Sequence, residues 1–238
     1  MNKTLQRLSL AGFALAGLLG VASPAHAVFI ARICNDLQCL GGDDVIVTDN
    51  LAGDTIGMTG AINFSTTAFG YTLLVNTSQS KPVIGSDALP QVDLTFSVTS
   101  PGAGGNVFLY ASDTDFVLGT GTFALSLGGT NSGGSGSVRG RGWGGTSNTD
   151  FDFSGANLLA SIGPLTGVTF NGAASGPFAA SANPYSLTMG VTISRATAGT
   201  TTGDLNLQIT PVPEPSTWAL MLIGPAFIGF VAQRRRRR

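Results

Sequence analysis

Between residues 91 and 99 every second side chain is apolar, with Val92, Leu94, Phe96 and Val98 alternating with Gln91, Asp93, Thr95, Ser97 and Thr99. Successive side chains of a β-strand point to opposite faces, so this run describes a strand with one dry face and one wet face. The same period returns at residues 185–195 through Leu187, Met189, Val191 and Ile193, and at residues 204–210 through Leu205, Leu207 and Ile209. Weaker strands are predicted at 28–33, 45–48, 61–64, 71–76, 107–111, 116–127 and 168–170, separated by Ser, Thr, Asn, Gly and Pro. Helical periodicity is weak throughout. Residues 154–161 read as helix or strand, and the Leu158-Leu159 pair does not decide between them. Short strands that each keep a polar face predict an all-β fold, a single antiparallel β-sandwich with a jelly roll as one form of it. A barrel crossing an outer membrane is disfavoured by the irregular strands and the lack of aromatic girdles.

Of the 238 residues, 34 are glycine, and nine of these fall in residues 128–147. That density predicts a Gly-rich mobile loop or an insertion between strands. Residues 197–203 form a second small-residue stretch, and Pro211-Val212-Pro213 reads as a stiff spacer.

The charge is unevenly placed. From residue 28 to residue 212 there are twelve aspartates and no glutamate against five cations (Arg32, Lys81, Arg139, Arg141 and Arg195), a net charge of −7. Such a balance excludes nucleic acid as a partner of the central region. The single histidine, His26, sits at a predicted cleavage site, so the processed chain has none for catalysis or metal ligation.

Cys34 and Cys39 are the only cysteines, and outside the cytoplasm a short-loop disulfide between them is expected. Without histidine they cannot complete a zinc site. Asp113 and Asp115, two apart in an extended segment, would share one face and suit a hard cation such as calcium; the alternative is solvated strand ends and Asx turns. As a pair they also invite a glycoside-hydrolase reading, but with no Glu or His in the domain the usual acid/base supply is missing and no enzyme is expected. Within the Gly-rich stretch, Arg139, Arg141 and Trp143 are the candidate glycan contacts: an indole to stack on a sugar ring, and two guanidinium groups to hold an acidic polymer. The alternative for Trp143 is a hydrophobic plug folded over the sandwich.

Both termini carry addresses. Residues 1–27 have a basic start (Lys3, Arg7), an apolar run at 8–22 and small residues at Ala25 and Ala27, the three parts of a cleavable signal peptide for signal peptidase. The domain then occupies 28–210. Residues 211–238 contain Pro213-Glu214-Pro215, then Trp218-Ala219, then uncharged sequence to Gln233, then Arg234, Arg235, Arg236, Arg237 and Arg238. As a helix, the uncharged part would extend about 28 Å, just enough to cross a hydrocarbon core of about 30 Å.

This tail resembles the PEP-CTERM sorting signal, in the variant with a Trp-Ala pair after the PEP triplet. The resemblance is confined to the tail and implies nothing about the rest of the fold. It implies processing by an exosortase near the triplet, transient anchoring in the inner membrane, and delivery to the cell surface or to an extracellular matrix rich in exopolysaccharide and biofilm polymer. Glu214 is then a recognition residue in a substrate. The expectation for function is a non-catalytic matrix or surface protein associated with exopolysaccharide. A carbohydrate-binding module, calcium-dependent in one form, is the alternative, with a glycan hydrolase behind it.

Overall fold

The computed structural model describes residues 28–102, 105–134 and 136–212. The expected signal peptide at 1–27, and the PEP triplet, the expected membrane-crossing helix and the arginine cluster of the tail, lie outside the described residues. Among the described residues the chain forms β1 (Ile30–Cys34), β2 (Val45–Thr48), β3 (Ala61–Ala68), β4 (Tyr71–Gln79), β5 (Gln91–Ser100) and β6 (Asn106–Phe116). It continues through β7 (Thr120–Ser132), β8 (Gly136–Gly144), β9 (Leu158–Leu165), β10 (Thr169–Ala179), β11 (Tyr185–Arg195) and β12 (Gly199–Pro211). These strands build two six-stranded sheets, one in the order β2-β1-β6-β11-β8-β9 and the other in the order β10-β7-β12-β5-β4-β3. All pairings between named strands are antiparallel. We call the first the β11 sheet and the second the β12 sheet.

The alternation read in the sequence is what closes the sandwich. Val92, Leu94, Phe96 and Val98 of β5 and Leu205, Leu207 and Ile209 of β12 are at most 1% exposed and enter the same core as Leu187, Met189, Val191 and Ile193 of β11. The intervening residues of β5 and β12 face water and pair across the strands: the Thr99 and Thr200 hydroxyls meet at 2.9 Å, and Thr95 Oγ1 donates to Asp204 Oδ2 at 3.0 Å. Each inward residue thereby removes apolar surface from water, worth about 1.5–3 kcal/mol for a large side chain.

The Gly-rich stretch is not a loop. Residues 136–144 form β8, paired on one side with β11 and on the other with β9. Its core-facing positions are Val138, Gly140 and Gly142, and the reason for glycine is the opposite sheet. A Cβ on Gly140 would lie 2.8 Å from Leu205 Cδ1, and one on Gly142 would lie 3.2 Å from Leu207 Cδ2. The glycine density therefore records a close approach of two sheets, which composition alone cannot distinguish from flexibility.

One further expectation is corrected and two open readings are resolved. Residues 116–127 are not one strand: Phe116 ends β6 and β7 begins at Thr120, with Asp115 in a left-handed conformation (φ 64°) just before the break. Residues 154–161 contain a short 3₁₀ turn (Gly155–Asn157) and then β9, an edge strand whose exposed positions explain the absent alternation. The small-residue stretch at 197–203 opens β12, where Thr201 turns inward and donates to Asn131 Oδ1 at 2.8 Å.

Arg195, only 2% exposed, ties the ends of β11, β12 and β7 together. Its Nη1 donates to Thr201 Oγ1 at 2.9 Å and its Nη2 to the Ser132 carbonyl at 2.8 Å. Beside these bonds the chain leaves β7 in one sheet and enters β8 in the other.

Gly140→Leu is expected to lower unfolding free energy by about 1–3 kcal/mol through overpacking. Gly119→Ala, where a Cβ meets nothing within 4 Å, should stay within about 0.5 kcal/mol of the parent. Urea unfolding of the two variants checks both, and an unaffected Gly140→Leu would contradict the close approach.

Candidate functional site

Strand β8 turns Ser137, Arg139, Arg141 and Trp143 to the outside of the β11 sheet, because their neighbours face Leu205 and Leu207 across the core. At one end of this row Trp143 is 4% exposed. It packs in a satellite cluster with Phe108, Tyr110, Cys34 and Cys39, covered by Phe151 and Phe153. Its ring lies edge-on to Phe153 at 5.3 Å, and Phe153 sits 4.6 Å from Tyr110. The expected mobile indole is thus a buried plug, and Trp143 offers no face to a sugar ring. Burial pushes the Tyr110 phenol well above its ordinary value, while its hydroxyl donates to the Leu37 carbonyl at 2.8 Å.

Cys34 and Cys39 are joined by a disulfide with a Cα–Cα distance of 5.3 Å. The loop it closes is tied to β1 by Arg32, whose Nη2 donates to the Cys39 carbonyl and to Asp44 Oδ2, both at 2.7 Å. Among the described residues, Cys34, Cys39 and Asp44 are the one place where three metal-ligating groups converge. That group does not suit a cation, since both sulfurs are bonded to each other and the carboxylate already holds Arg32.

The five cations of the domain divide into two kinds. Arg32 pairs with Asp44; Lys81 lies 3.2 Å from Asp87 and 4.0 Å from Asp113; Arg195 is consumed inside. Arg139 and Arg141 have no carboxylate within ion-pair distance among the described residues. Arg141 Nη1 donates to Thr192 Oγ1 at 3.2 Å and Arg139 Nη1 to Ser161 Oγ at 3.4 Å. Burial, and after it the Arg139 charge, pulls the Arg141 guanidinium below its ordinary value. Two like charges held on alternate residues, about 7 Å apart along a strand, repel unless an anion lies between or above them.

Asp113 and Asp115 do not share a face. Two residues, Thr114 and Asp115, are accommodated opposite Ser186 alone where β6 pairs with β11, a bulge that breaks the two-residue parity. Asp113 turns inward at 1% exposure, receives the Ser80 hydroxyl at 2.5 Å on Oδ2 and the Thr114 N–H at 2.8 Å on Oδ1. Asp115 is held instead by Asn148, whose Nδ2 donates at 2.7 Å. The two carboxylates therefore do not present the joint cation site that their spacing predicts.

A constellation that the sequence reading missed lies on the outer face of the β12 sheet. Asn206 Nδ2 donates to Asp93 Oδ1 at 3.1 Å, and Asp204 stands beside them. Next to it a shallow groove of about 350 Å³ is lined by Asn76, Thr95, Gly128, Thr130, Thr202 and Asp204. Burial, and beyond it the Asp204 charge, lifts the Asp93 carboxyl to about 6. Asp93 was visible as a polar position of a strand, but its partners come from β12, 111 or more residues later, and only strand order brings them together.

The C-terminal segment 211–237 matches the PEP-CTERM protein-sorting motif. Such a tail implies export and membrane anchoring before exosortase processing. No curated protein matches the chain. Among solved structures it is similar to the CBM22-1 xylan-binding domain of Paenibacillus barcinonensis Xyn10C, at 12% identity over 68% of this chain and 90% of that one, with a TM-score of 0.32. A carbohydrate-binding module described as recognising mannan, TmCBM27, is similar at 14% identity over 65% and 90% of the two chains, also with a TM-score of 0.32. The enzymatically active domain of tailspike protein 4 from bacteriophage CBA120 is similar at 10% identity and a TM-score of 0.32 over 59% of this chain, which spans 19% of that one. Likenesses at this level carry no ligand or activity to this chain.

The buried carboxyls set a pH dependence with a defined sign. Burial lifts Asp113 to about 6 against the Ser80 hydroxyl and Lys81, and Asp93 also stands at about 6, where the ordinary value is 3.8. From about pH 4 to pH 6 the folded chain holds protons that the unfolded chain has released, so stability falls as pH rises through that window. Asp36 and Asp152 are shifted down and act in the opposite sense only below it. The melting temperature is expected to be higher at pH 5 than at pH 7, with the Asp113 share about 1 kcal/mol, or about 2–4 °C. Asp113→Asn, which keeps an acceptor for Ser80, should remove that share in a paired thermal melt at the two pH values.

Proposed function

We propose that this chain is a non-catalytic, exported protein of the cell surface or extracellular matrix, processed by an exosortase and associated with exopolysaccharide. The observation that carries this reading is the match of residues 211–237 to the PEP-CTERM sorting motif. Behind it stands a domain whose strands put hydroxyls and amides on the outer faces of both sheets, a surface compatible with a hydrated polymer. The non-catalytic part of the proposal is supported by the fate of Asp113: it is enclosed by Ser80 and Lys81 rather than aimed at a substrate. A glycoside hydrolase needs two carboxyl groups about 5–9 Å apart flanking a bond. Asp115, turned away to Asn148, does not provide the second.

A second reading, a carbohydrate-binding module, is favoured by one feature, the pair of arginines without carboxylate partners on β8. In that reading recognition belongs to Arg139 and Arg141 and not to Trp143.

Intact mass and cell fractionation in a host with the exosortase, and in one without it, test the proposal. The native protein should begin at Val28, end near Pro213-Glu214-Pro215, and leave the inner membrane only where the enzyme is present. Retention of Arg238 in both hosts would make the tail an anchor alone and remove the matrix role.

A further inference from the structure

We infer that the outer face of β8 is a binding track for an acidic polysaccharide, with Arg139 and Arg141 holding its carboxylates and Ser137, Thr192 and Ser194 its hydroxyls. The inference rests on the exopolysaccharide reading and gives it a ligand class and a site.

The track is assembled from a single strand and its neighbour. Ser137, Arg139 and Arg141 face outward on β8, and Thr192 and Ser194 face outward on β11, in register with Arg139 and Ser137. From Ser137 to Arg141 the row runs about 13 Å. At the Ser137 end it opens into a hollow of about 280 Å³ lined by Gly136, Ser137, Thr166, Ser194 and Ala196. At the other end it is closed by the aromatic cluster around Trp143. A chain lying along β8 would therefore run from the hollow over the two guanidinium groups to the plug.

The chemistry selects an anion. A guanidinium carries five donors in a planar fork that matches a carboxylate in a bidentate manner. Each of these two uses one hydrogen bond on a protein hydroxyl, Thr192 or Ser161. None of their remaining nitrogens is among the fully buried atoms without a partner, and both side chains are partly exposed. Arg139 is the charge that bears most on Arg141, and neither arginine has a carboxylate within ion-pair distance among the described residues. Arg139 and Arg141 are thus held close together by the strand, without the counter-charge that Arg32 and Lys81 both have.

The surroundings select a sugar over a nucleic acid. The aromatic rings on this face of the sheet, Phe108, Tyr110 and Trp143, are 7%, 2% and 4% exposed, leaving no platform there for a base to stack on. What remains beside the charges is the hydroxyl groups of Ser137, Thr192 and Ser194, suited to a ring bearing hydroxyls and carboxylates. The net charge of −7 repels a polyanion at long range, but at physiological ionic strength that repulsion is screened beyond about 8 Å, while contact pairs with the two arginines persist.

The test uses the full chain in neutral detergent, with Arg234 to Arg238 all replaced by glutamine so that the tail contributes no polyanion binding. The probe is oligogalacturonate, with dextran and single-stranded DNA as comparisons, measured by calorimetry at 0.15 M salt. Saturable binding of oligogalacturonate alone is expected, weakened at least tenfold in the Arg139→Gln, Arg141→Gln double variant and unchanged in Trp143→Phe. Circular dichroism and the melting temperature of the double variant should match the parent, since both side chains lie outside the core. Equal binding by the double variant, equal binding of dextran or of DNA, or light scattering that shows the arginines engaging a second copy of the chain would each overturn the track. If oligogalacturonate does not bind while fractionation still places the processed protein outside the inner membrane, the track falls and the exopolysaccharide reading stands. If it binds through the arginines but the protein stays at the inner membrane, the track stands and the matrix role falls.

Discussion

Two sheets can share a core only if every strand turns its apolar positions the same way, and here that condition is set by β11. Leu187, Met189, Val191 and Ile193 point into the core and are fully buried, which forces Thr188, Gly190, Thr192 and Ser194 to the outer face. The neighbours follow its parity. On one side β6 presents Leu109 and Ala111 inward and Phe108 and Tyr110 outward; on the other β8 presents glycines inward and arginines outward. A slip of one residue in β11 would bury Thr192 and Ser194 and expose four large apolar side chains. The chemistry of the outer face is therefore a by-product of the core, held in place by the same free energy.

Groups that cannot be apolar are placed where the topology supplies partners. Arg195 continues the inward side of β11 and would be an unpaired buried charge, but the strand ends converge there and offer Thr201 Oγ1 and the carbonyls of Ser132 and Thr197. Asp113 sits at the opposite end of the sheet interface, where Ser80 donates to it and Lys81 approaches at 4.0 Å while also stacking over the Phe116 ring. Each such group is costly if left alone and tolerable when bonded. For Asp113 burial outweighs the Ser80 hydroxyl, the Lys81 charge and the Thr114 N–H, and its carboxyl stands raised.

Strand positions were legible where the alternation is intact. Residues 45–48 and 185–195 coincide with β2 and β11, and 91–99 falls one residue short of β5. What the sequence hid has definite physical causes. In β8 the inward residues other than Val138 are glycines, so the hydrophobic half of the alternation is reduced to one residue, although the large residues Arg139, Arg141 and Trp143 still recur with period two. At β9 the strand lies on an edge and has little to bury. The bulge at Thr114 and Asp115 cancels the parity on which a shared carboxylate face was predicted. Of the candidate glycan contacts, Arg139 and Arg141 are half-buried on the outer face, whereas the burial of Trp143 depends on Phe151 and Phe153 returning from the β8–β9 connection, a tertiary contact with no local signal.

The alternation of Arg, Gly and Trp in β8 then has one explanation rather than two. Because Leu205 and Leu207 come so close, β8 has little room for side chains on its inner face, and it gains less anchorage from the core than β11 does. It is held by its ladders to β11 and β9 and, from outside, by Trp143 packed against Phe153 and Tyr110. The indole thus packs on the strand two residues beyond Arg141 and, being buried, does not itself face a ligand. The opposite face of the sandwich carries Asp93 and Asp204 and the groove beside them. Among the described residues of a domain with a net charge of −7, the two cations without carboxylate partners thus lie on one sheet and the Asp93–Asp204 pair on the other, so the arginine row is where an anionic polymer finds positive charge.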